Sequence, residues 1–346
     1  MSIFSINSRA VMVAAFGLAA LSGAAHAGAT FDAIKARGVV ACAVNTGLPG
    51  WSAPDSQGKW TGFDVDFCRA IAVAMFGDPN KVKLEPTTSQ TRFQALQSGE
   101  VDVLTRNVTL TLTRDTTLGF HAAGVNFYDG QGFMVSAKMG VKSAKELNGA
   151  TICVQPGTTT ELNLADYFRA TGMTFTPVVI EKLDEVTGAF FSGRCDAYTT
   201  DASGLAAVRA ARGGNAMQDF VILPERISKE PLGPMVRKGD DQWFAVVKWT
   251  LTMMIEAEEY GVNQANVDQI AATSKDPGVR RMLDLEPGFG KALGLDEKWA
   301  YNVIKAVGNY GDVFERNLGK DTNLKMDRGL NKLWTQGGLM YAIPLR

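Results

Sequence analysis

Polar side chains suited to holding a small charged molecule occur at three places in the sequence. Residues 105–109 read Thr-Arg-Asn-Val-Thr and are followed by Arg114, residues 157–160 read Gly-Thr-Thr-Thr, and Thr200 precedes Asp201. A guanidinium binds a carboxylate through two parallel hydrogen bonds, and the N–H groups at a helix start also favour an anion. A carboxylate accepts hydrogen bonds from an ammonium group. The three places together predict a site for a molecule that carries both a carboxylate and an ammonium group.

Each of these side chains has a role in that prediction and an ordinary structural alternative. We expect Arg114 to bind the carboxylate, with Thr109 as a further donor, and Asp201 to bind the ammonium group. The helix start that follows Gly157 supplies the remaining donors, from Thr158, Thr159 and Thr160. Alternatively, a threonine before a helix is a cap, a single arginine is a solvated surface charge, and an aspartate that opens a helix is a cap. Their joint position after strands favours the binding interpretation.

The elements that must position these groups follow a β–α–β–α–β pattern in the first half of the chain. Apolar, β-rich runs predict strands at 39–44, 82–85 and 101–104. Helices are predicted at 65–76, where Phe67, Ile71 and Met75 recur every four residues, and at 91–97. Such alternation indicates a parallel sheet covered by helices.

The same pattern returns in the second half. Strands are predicted at 151–154, 177–180 and 197–199, and helices at 161–170 and 184–191. In both halves the second helix ends at a Ser-Gly pair, two residues before an aspartate and the last strand, as residues 98–103 and 192–197 show. This correspondence predicts two similar α/β lobes. Ligands of open parallel sheets bind beyond the carboxyl ends of the strands, which is where the three polar segments lie.

Two segments are predicted to cross between the lobes. The glycine-containing stretch 124–132 is the first, because its glycines permit backbone rotation, and residues 231–234 are the second. Beyond them the chain has amphipathic runs at 241–260, 263–273 and 296–318, which predict helices.

Composition and the N-terminus restrict the class of protein. The 346 residues suit two lobes, and 35 basic against 36 acidic residues argue against a nucleic-acid partner or an anionic membrane. Arg9, the apolar run 10–21 and the Ala-His-Ala sequence at 25–27 predict a signal peptide over 1–27, cleaved after Ala27. A membrane anchor is the alternative, but the run is shorter than a spanning helix requires. We therefore expect export to the periplasm.

Four cysteines in an exported chain predict disulfides, since that compartment is oxidising. Four cysteines allow three pairings, and the order of elements favours Cys42–Cys68 and Cys153–Cys195, because each bond then stays within one lobe. Buried free thiols are the alternative. We expect no metal site, because the sequence has no C-x-x-C pair and, after cleavage, one histidine.

Several motifs give the chain a resemblance to a known family. They are Gly-Phe-Asp-Val-Asp at 62–66, Leu-x-Ser-Gly-x-Val-Asp at 96–102, Thr-x-Thr-Arg at 111–114, Gly-Thr-Thr at 157–159, Gly-x-x-Asp-Ala at 193–197, and Asp201. With them the chain resembles the periplasmic polar amino-acid-binding proteins of ABC importers. Its length, its cysteines and its helices past Gly261 are similar to those of the general L-amino-acid and glutamate/glutamine-binding branch.

The resemblance implies a fold and a set of roles. The fold is the α/β type II periplasmic-binding-protein fold: two βαβ lobes, two crossing segments and a helical C-terminal extension. Expected boundaries are 28–128 for lobe 1, 129–231 for lobe 2, and 232–346 for the return to lobe 1 plus the C-terminal helices. The family's roles place the α-carboxylate at Arg114, the α-ammonium at Asp201, and the rest of the polar cradle at Asn107, Thr109 and Thr159. Asn45 is also expected to contact the ligand.

The chain departs from the family pattern at the side-chain end of the site. Many members have aromatic residues near positions 48 and 89, where this chain has Leu48 and Ser89, although Trp51 is close by and is expected to contact the ligand. Arg92 resembles an arginine that glutamate/aspartate-binding members use for the side-chain carboxylate, and Arg106 stands where many members have a small residue. Two added cations favour acidic or amide side chains. The alternative for Arg92 is an exposed residue on a short helix.

The resulting hypothesis is a receptor that captures polar L-amino acids, including glutamate, aspartate and their amides, by hinge closure. We expect it to act as a monomer without a cofactor and to deliver its ligand to an inner-membrane ABC permease. A periplasmic dehydratase or lyase on the same fold is the enzymatic alternative, but no strongly marked general acid or base accompanies the polar segments. A sensor ectodomain is a further alternative, which would need a separate signalling partner.

Overall fold

The computed structural model describes residues 28–286 and 288–346. The predicted signal peptide, 1–27, lies outside the described residues. Within the described part, no helix is both long and apolar enough to cross a membrane.

Short strands build two separate five-stranded sheets and a pair of crossing strands. In chain order the strands are β1 (Val40–Val44), β2 (Ala53–Pro54), β3 (Trp60–Thr61), β4 (Val82–Pro86), β5 (Val103–Leu104), β6 (Phe120–Ala122), β7 (Phe127–Asp129), β8 (Gln131–Ser136), β9 (Thr151–Val154), β10 (Thr176–Val179), β11 (Ala197–Asp201), β12 (Phe220–Ile222), β13 (Glu230–Leu232) and β14 (Met235–Arg237).

Helices cover both sheets and form most of the C-terminal part. They are α1 (Ala29–Arg37), α2 (Phe63–Phe76), α3 (Thr91–Ser98), α4 (Leu112–Thr116), α5 (Thr159–Ala170), α6 (Leu183–Phe191), α7 (Ala202–Arg212), α8 (Ala216–Asp219), α9 (Asp241–Glu259), α10 (Val267–Thr273), α11 (Pro277–Met282), α12 (Phe289–Ala292), α13 (Trp299–Ala306) and α14 (Tyr310–Asn317).

The first sheet has the order β4-β1-β5-β14-β6. Strands β4, β1 and β5 run parallel, as the β–α alternation predicts, whereas β14 runs antiparallel to both β5 and β6. Every residue of β1 is buried, which is typical of a strand covered on both faces. We call this sheet with its covering helices lobe 1.

The second sheet has the order β10-β9-β11-β8-β12. Strands β10, β9 and β11 run parallel, and β8 runs antiparallel to β11 and β12. We call this sheet with its helices lobe 2. Both lobes thus combine a predicted parallel part with antiparallel strands that the sequence analysis did not predict.

Strands β7 and β13 cross between the lobes and pair with each other. Their antiparallel register places Glu230 opposite Asp129, Pro231 opposite Tyr128 and Leu232 opposite Phe127. The two predicted crossing segments therefore meet as one two-stranded connection. The exact lobe boundaries at 128 and 231 stay a prediction.

Each lobe contains one disulfide, in the predicted pairs. Cys42 on β1 and Cys68 on α2 have Cα atoms 6.2 Å apart, and Cys153 on β9 and Cys195 have Cα atoms 5.7 Å apart. The two bonds tie a strand to its helix in lobe 1 and two neighbouring strand regions in lobe 2. The pairing prediction is confirmed.

Residues 262–346, which we call the C-terminal extension, pack on lobe 1. Helix α13 lies against α2, and α14 lies against α2 and α9. Large buried side chains such as Trp299, Tyr310 and Phe314 fill this contact. The extension explains why α2 is buried nearly all round: it lies between the sheet of lobe 1 and these helices.

Candidate functional site

A small cavity lies between the lobes, beyond the carboxyl ends of their parallel strands. Lobe 1 contributes Asn45, Leu48, Ser89, Arg92, Arg106, Asn107 and Thr109 to its lining, and lobe 2 contributes Gln155, Thr158, Thr159, Thr160, Leu183, Tyr198, Thr200, Asp201, Gly204 and Val208. The polar segments predicted from the sequence therefore meet at one place.

Arg92 on α3 is a buried cation in this cavity. Arg92 is 3% exposed, and its guanidinium carbon lies 4.7 Å from the centre of the Phe93 ring. Burial lowers its pKa well below the ordinary value, and the neighbouring charges of Arg106 and Arg114 lower it further. Its Nε has no hydrogen-bond partner among the residues that the structure describes. The charge of Asp201 acts in the opposite direction, and an anion bound next to Arg92 would further favour its charged form.

Arg106 and Asp64 form a second buried charged group below the cavity. The Nε of Arg106 donates to the carbonyl of Thr87 at 2.7 Å, and burial lowers the pKa of Arg106 to about 10. Burial also raises the pKa of Asp64 to about 7, although the backbone N–H of Asn107 donates to its Oδ2 at 3.2 Å and Arg106 opposes the shift. Asn107 adopts the left-handed region, with φ of 38°, and this backbone turns its side chain toward lobe 2.

The lobe 2 wall presents a helix start and a carboxylate. Thr158 caps α5, because its side chain accepts from the backbone N–H of Glu161 at 3.1 Å. Asp201 ends β11, is buried, and accepts from Nδ2 of Asn107 in lobe 1 at 3.3 Å. Burial raises the pKa of Asp201, with further contributions from the charges of Asp129 and Glu230. A bound ammonium group would favour its ionised form.

Glu230, on the crossing strand β13, holds residues of both lobes. Its Oε2 accepts from Oγ1 of Thr109 at 2.5 Å and from Oγ1 of Thr159 at 2.8 Å. Its Oε1 accepts from Nδ2 of Asn163 at 2.8 Å and from Oγ of Ser228 at 2.5 Å. With four donors and 1% exposure, this carboxylate is a fixed structural part of the site.

The hydrogen bonds to Glu230 determine whether Thr109 and Thr159 can donate to a ligand or accept from it. A hydroxyl has a single proton, and here each of the two hydroxyls directs it to Glu230. Both therefore present lone pairs, which accept from an ammonium group, rather than protons for a carboxylate. In this arrangement the two threonines are not the free donors that the sequence analysis expected.

Two predicted ligand contacts do not line the cavity. Arg114 is buried on α4, directly behind it: one guanidinium nitrogen donates to the carbonyl of Thr109 at 2.6 Å, and the group lies 4.9 Å from the centre of the Phe93 ring. Burial lowers its pKa to about 10, against the charges of Glu230 and Asp201. Trp51 is fully buried, with its ring 4.9 Å from that of Phe127. It packs in the core and not against the cavity.

The remaining predicted contacts all line the cavity: Asn45, Arg92, Asn107, Thr109, Thr158, Thr159, Thr160 and Asp201. The sequence analysis did not select Ser89, Gln155, Tyr198 or Glu230. Ser89 and Gln155 follow predicted strands by only a few residues, so reading every strand end would have found them. Glu230 directly precedes the second predicted crossing segment, 231–234, and its position before Pro231 was the one signal that the local sequence offered.

Direct hydrogen bonds also join the lobes at the rim of the cavity. Oγ1 of Thr88 donates to Oε1 of Glu181 at 2.5 Å, and Oγ of Ser89 donates to the carbonyl of Pro156 at 2.8 Å. The structure therefore has the closed arrangement of the two lobes. Across the described ranges 28–286 and 288–346, no cluster of three His, Cys, Asp or Glu side chains is placed to hold a metal ion.

Comparison with known proteins agrees with this geometry. The family model of the bacterial extracellular solute-binding proteins, family 3, matches residues 40–265. The chain is 56% identical to the general L-amino acid-binding periplasmic protein of Rhizobium johnstonii, over 97% of this chain and 99% of the relative. It is also 56% identical to the glutamate/glutamine/aspartate/asparagine-binding protein of Rhodobacter capsulatus, over 95% and 97% of the two chains.

A solved structure from Brucella ovis, an ABC transporter/periplasmic binding protein with glutathione bound, is similar at 55% identity and a TM-score of 0.88, over 92% of this chain and 99% of that one. The predicted type II periplasmic-binding-protein fold is confirmed. The matched relatives are named as binding proteins and not as enzymes. The chain belongs to the bacterial extracellular solute-binding proteins, family 3.

Proposed function

We propose that the protein is a periplasmic receptor for L-amino acids with acidic or amide side chains. It closes on its ligand and delivers it, as a monomer, to an inner-membrane ABC permease. The names of the relatives from Rhizobium johnstonii and Rhodobacter capsulatus support the amino-acid class. The N-terminal export pattern supports the periplasmic location.

The observation that carries the choice of side chain is the state of Arg92. Its guanidinium is buried at the cavity, is close to two further arginines, and has its Nε unbonded within the described part of the chain. A side-chain carboxylate would neutralise this cation, and a side-chain amide would accept from it through its oxygen. Ligands with apolar side chains would leave the cation buried without a partner, which is costly.

The charged head of the ligand would lie between the lobes. Asp201, together with the lone pairs of Thr109 and Thr159, forms an acceptor set for the α-ammonium group. The N–H groups at the start of α5, with Arg114 behind Thr109, form the positive side for the α-carboxylate. Because these groups come from both lobes, the ligand makes its full set of contacts only in the closed form and shifts the population toward it.

Calorimetry on ligand-stripped protein tests the proposal with all twenty L-amino acids and glutathione. We expect glutamate, aspartate, glutamine and asparagine to bind. Arg92→Ala should weaken glutamate binding about thirty-fold or more, by the usual contribution of a charge-assisted hydrogen bond, while glutamine binding changes much less.

Arg212→Ala is the matched control, because Arg212 also lies over a phenylalanine ring, at 5.4 Å from that of Phe191, but outside the cavity. It should leave every affinity unchanged. Equal losses for glutamate and glutamine in Arg92→Ala would refute the role of Arg92 toward the side-chain carboxylate. Absence of binding for all twenty amino acids would refute the receptor proposal, and binding of glutathione alone would replace the free amino acid by a γ-glutamyl peptide.

A further inference from the structure

The C-terminal extension contacts the first crossing strand, and this contact has no part in the function proposed above. The extension lies almost wholly beyond the end of the family match at residue 265. It is fixed to lobe 1 by α13 and α14, which pack on α2 and α9. From there it reaches Asn126, Phe127 and Tyr128, where the chain leaves lobe 1 for lobe 2.

Asn331 binds the free edge of the crossing strand. Tyr128 lies opposite Pro231, which has no N–H group, so the backbone groups of Tyr128 point away from β13. Its N–H donates to Oδ1 of Asn331 at 2.7 Å, and Nδ2 of Asn331 donates to its carbonyl at 3.1 Å. The side-chain amide thus takes the place of a neighbouring strand, and Asn331 is only 4% exposed.

Tyr310 binds the same strand two residues earlier. Its hydroxyl donates to the carbonyl of Asn126 at 2.9 Å in a buried position. Arg328 lies over the Tyr310 ring at 5.2 Å, is paired with Glu258 of α9, and donates to the carbonyl of Asn331 at 2.8 Å. The two contacts with the crossing strand therefore share one buried support that belongs to lobe 1 and the extension.

The next residue along the chain is held by lobe 2. Oδ2 of Asp129 accepts from the backbone N–H of Ser203 on α7 at 3.2 Å, and the carbonyl of Gly130 accepts from the N–H of Ala202 at 2.9 Å. In contrast, Phe127 stacks on Phe314 of the extension, with ring centres 6.2 Å apart. The change from one lobe to the other falls between Tyr128 and Asp129.

We propose that Asn331 and Tyr310 are positioning residues for ligand capture: they keep residues 126–128 fixed to lobe 1 and confine the hinge rotation to the bonds that follow Tyr128. This inference rests on the hinge closure of the proposed function. When the hinge rotation is confined to these bonds, the ligand-free protein has fewer open arrangements of its two lobes. Closure on a ligand then loses less conformational entropy, and the affinity is higher.

Distance measurements between the lobes test this inference. Spin labels attached at Lys83→Cys in lobe 1 and Asp166→Cys in lobe 2 report the distribution of lobe–lobe distances by pulsed electron resonance. In Asn331→Ala we expect a broader distribution without ligand, an unchanged distribution with saturating glutamate, and a glutamate Kd raised about five-fold. Tyr310→Phe, which removes one hydroxyl, should change both quantities in the same direction by less.

Asn266→Ala is the matched control. Asn266 is also an asparagine of the extension: its Oδ1 accepts from the backbone N–H of Asn263 at 2.8 Å, and its Nδ2 donates to the carbonyl of Gly261 at 2.9 Å. Neither partner belongs to the crossing strand or to α14, so this variant should leave the distance distribution and the Kd unchanged. Equal widths and equal Kd values for Asn331→Ala and the unaltered protein would overturn the inference, as would the same broadening in Asn266→Ala.

Two further points keep the test decisive. If Asn331→Ala does not fold, Tyr310→Phe carries the test, because that change removes only the hydroxyl that donates to the carbonyl of Asn126. If the unaltered protein binds no amino acid, the proposed function fails, but the ligand-free distance distributions still decide whether Asn331 and Tyr310 confine the hinge.

Discussion

The cavity and the crossing strand are both buried regions where the two lobes meet, but they differ in how completely their polar groups are hydrogen-bonded. At the crossing strand the outward backbone groups of Tyr128 are bonded by Asn331, and the carbonyl of Asn126 is bonded by Tyr310. In the cavity Arg92 keeps an unbonded Nε within the described part of the chain, and the pKa values of Asp201 and of Asp64, just below the cavity, are raised. Buried polar groups that are hydrogen-bonded stabilise one structure, whereas buried polar groups without a partner can be bonded by a ligand.

The largest loss of affinity is expected from removing the carboxylate charge that would pair with the ligand's ammonium group. Asp201→Asn keeps the size of the side chain but lowers its strength as an acceptor, so we expect the affinity for every bound amino acid to fall about a hundred-fold, or roughly 3 kcal/mol. Calorimetry on ligand-stripped protein measures this loss. Asp196→Asn, just before the same strand, removes an exposed carboxylate that accepts only from Thr151, and should bind as before.

A second prediction addresses Glu230, which belongs to the crossing strand but serves the cavity. Glu230→Gln replaces one of the two accepting oxygens with an NH2 group. Where that NH2 group faces Thr109 and Thr159, both hydroxyls must redirect their protons. Protons that point at an ammonium group repel it, and we expect amino-acid affinity to fall about thirty-fold, or roughly 2 kcal/mol. Glu225→Gln is the control, since Glu225 accepts from Ser143 and Ala144 within lobe 2. Equal affinities for the two variants would show that Glu230 only supports the fold.

Glu230 also shows how far the sequence predicts the site. The strand ends could be read from local patterns, because buried β-rich runs followed by helices place their carboxyl ends on one edge of a parallel sheet. Asn107, Thr158 and Asp201 were found in this way, whereas Arg92 was named from the family resemblance; all four line one cavity. A residue in a crossing segment has no such rule, because its position depends on how two distant segments pair.

The same limit applies to the fold. The parallel strands of both sheets were predicted within a residue or two, because each is a short β-rich run in a regular alternation with helices. The antiparallel strands β6, β8, β12 and β14 were not predicted, since a short strand that pairs only after the chain has crossed between lobes carries little local signal. Trp51 is the reverse case: this aromatic residue is close in sequence to an expected ligand contact but packs in the core.

The third prediction uses pH to examine the buried carboxylate below the cavity. Burial raises the pKa of Asp64 to about 7 in the folded protein, so the folded state retains this proton between about pH 5 and 7 while the unfolded state has lost it. The contribution of Asp64 to the free energy of unfolding is therefore complete at low pH and is lost as pH rises through about 7. Urea unfolding measures this free energy. In this pH range the free energy of unfolding of Asp64→Asn should fall less steeply with pH than that of the unaltered protein, by about 1 kcal/mol per pH unit.

Glu256 provides the control for that measurement, because burial also raises its pKa to about 7 but it lies on α9, outside the cavity. Glu256→Gln should flatten the same pH range without changing glutamate affinity, whereas Asp64→Asn should change both, since Asp64 holds the backbone of Asn107. Parallel pH profiles for Asp64→Asn and the unaltered protein would contradict the raised pKa.

The smallest effect is expected at the rim of the cavity, where the two lobes bond to each other directly. Glu181 in lobe 2 accepts from Thr88 in lobe 1 at 2.5 Å, a contact that is made only when the lobes have closed. Glu181→Gln should weaken this bond and raise the Kd for glutamate about three-fold, which is in the range of partly exposed charged contacts. Because the contact forms after the ligand has entered, the dissociation rate should rise and the association rate should stay constant. Stopped-flow measurements separate the two rates, and Glu185→Gln, whose side chain pairs with Lys182 within lobe 2, should change neither. A slower association rate in Glu181→Gln would mean that the rim contact guides entry of the ligand and does not merely hold the closed form.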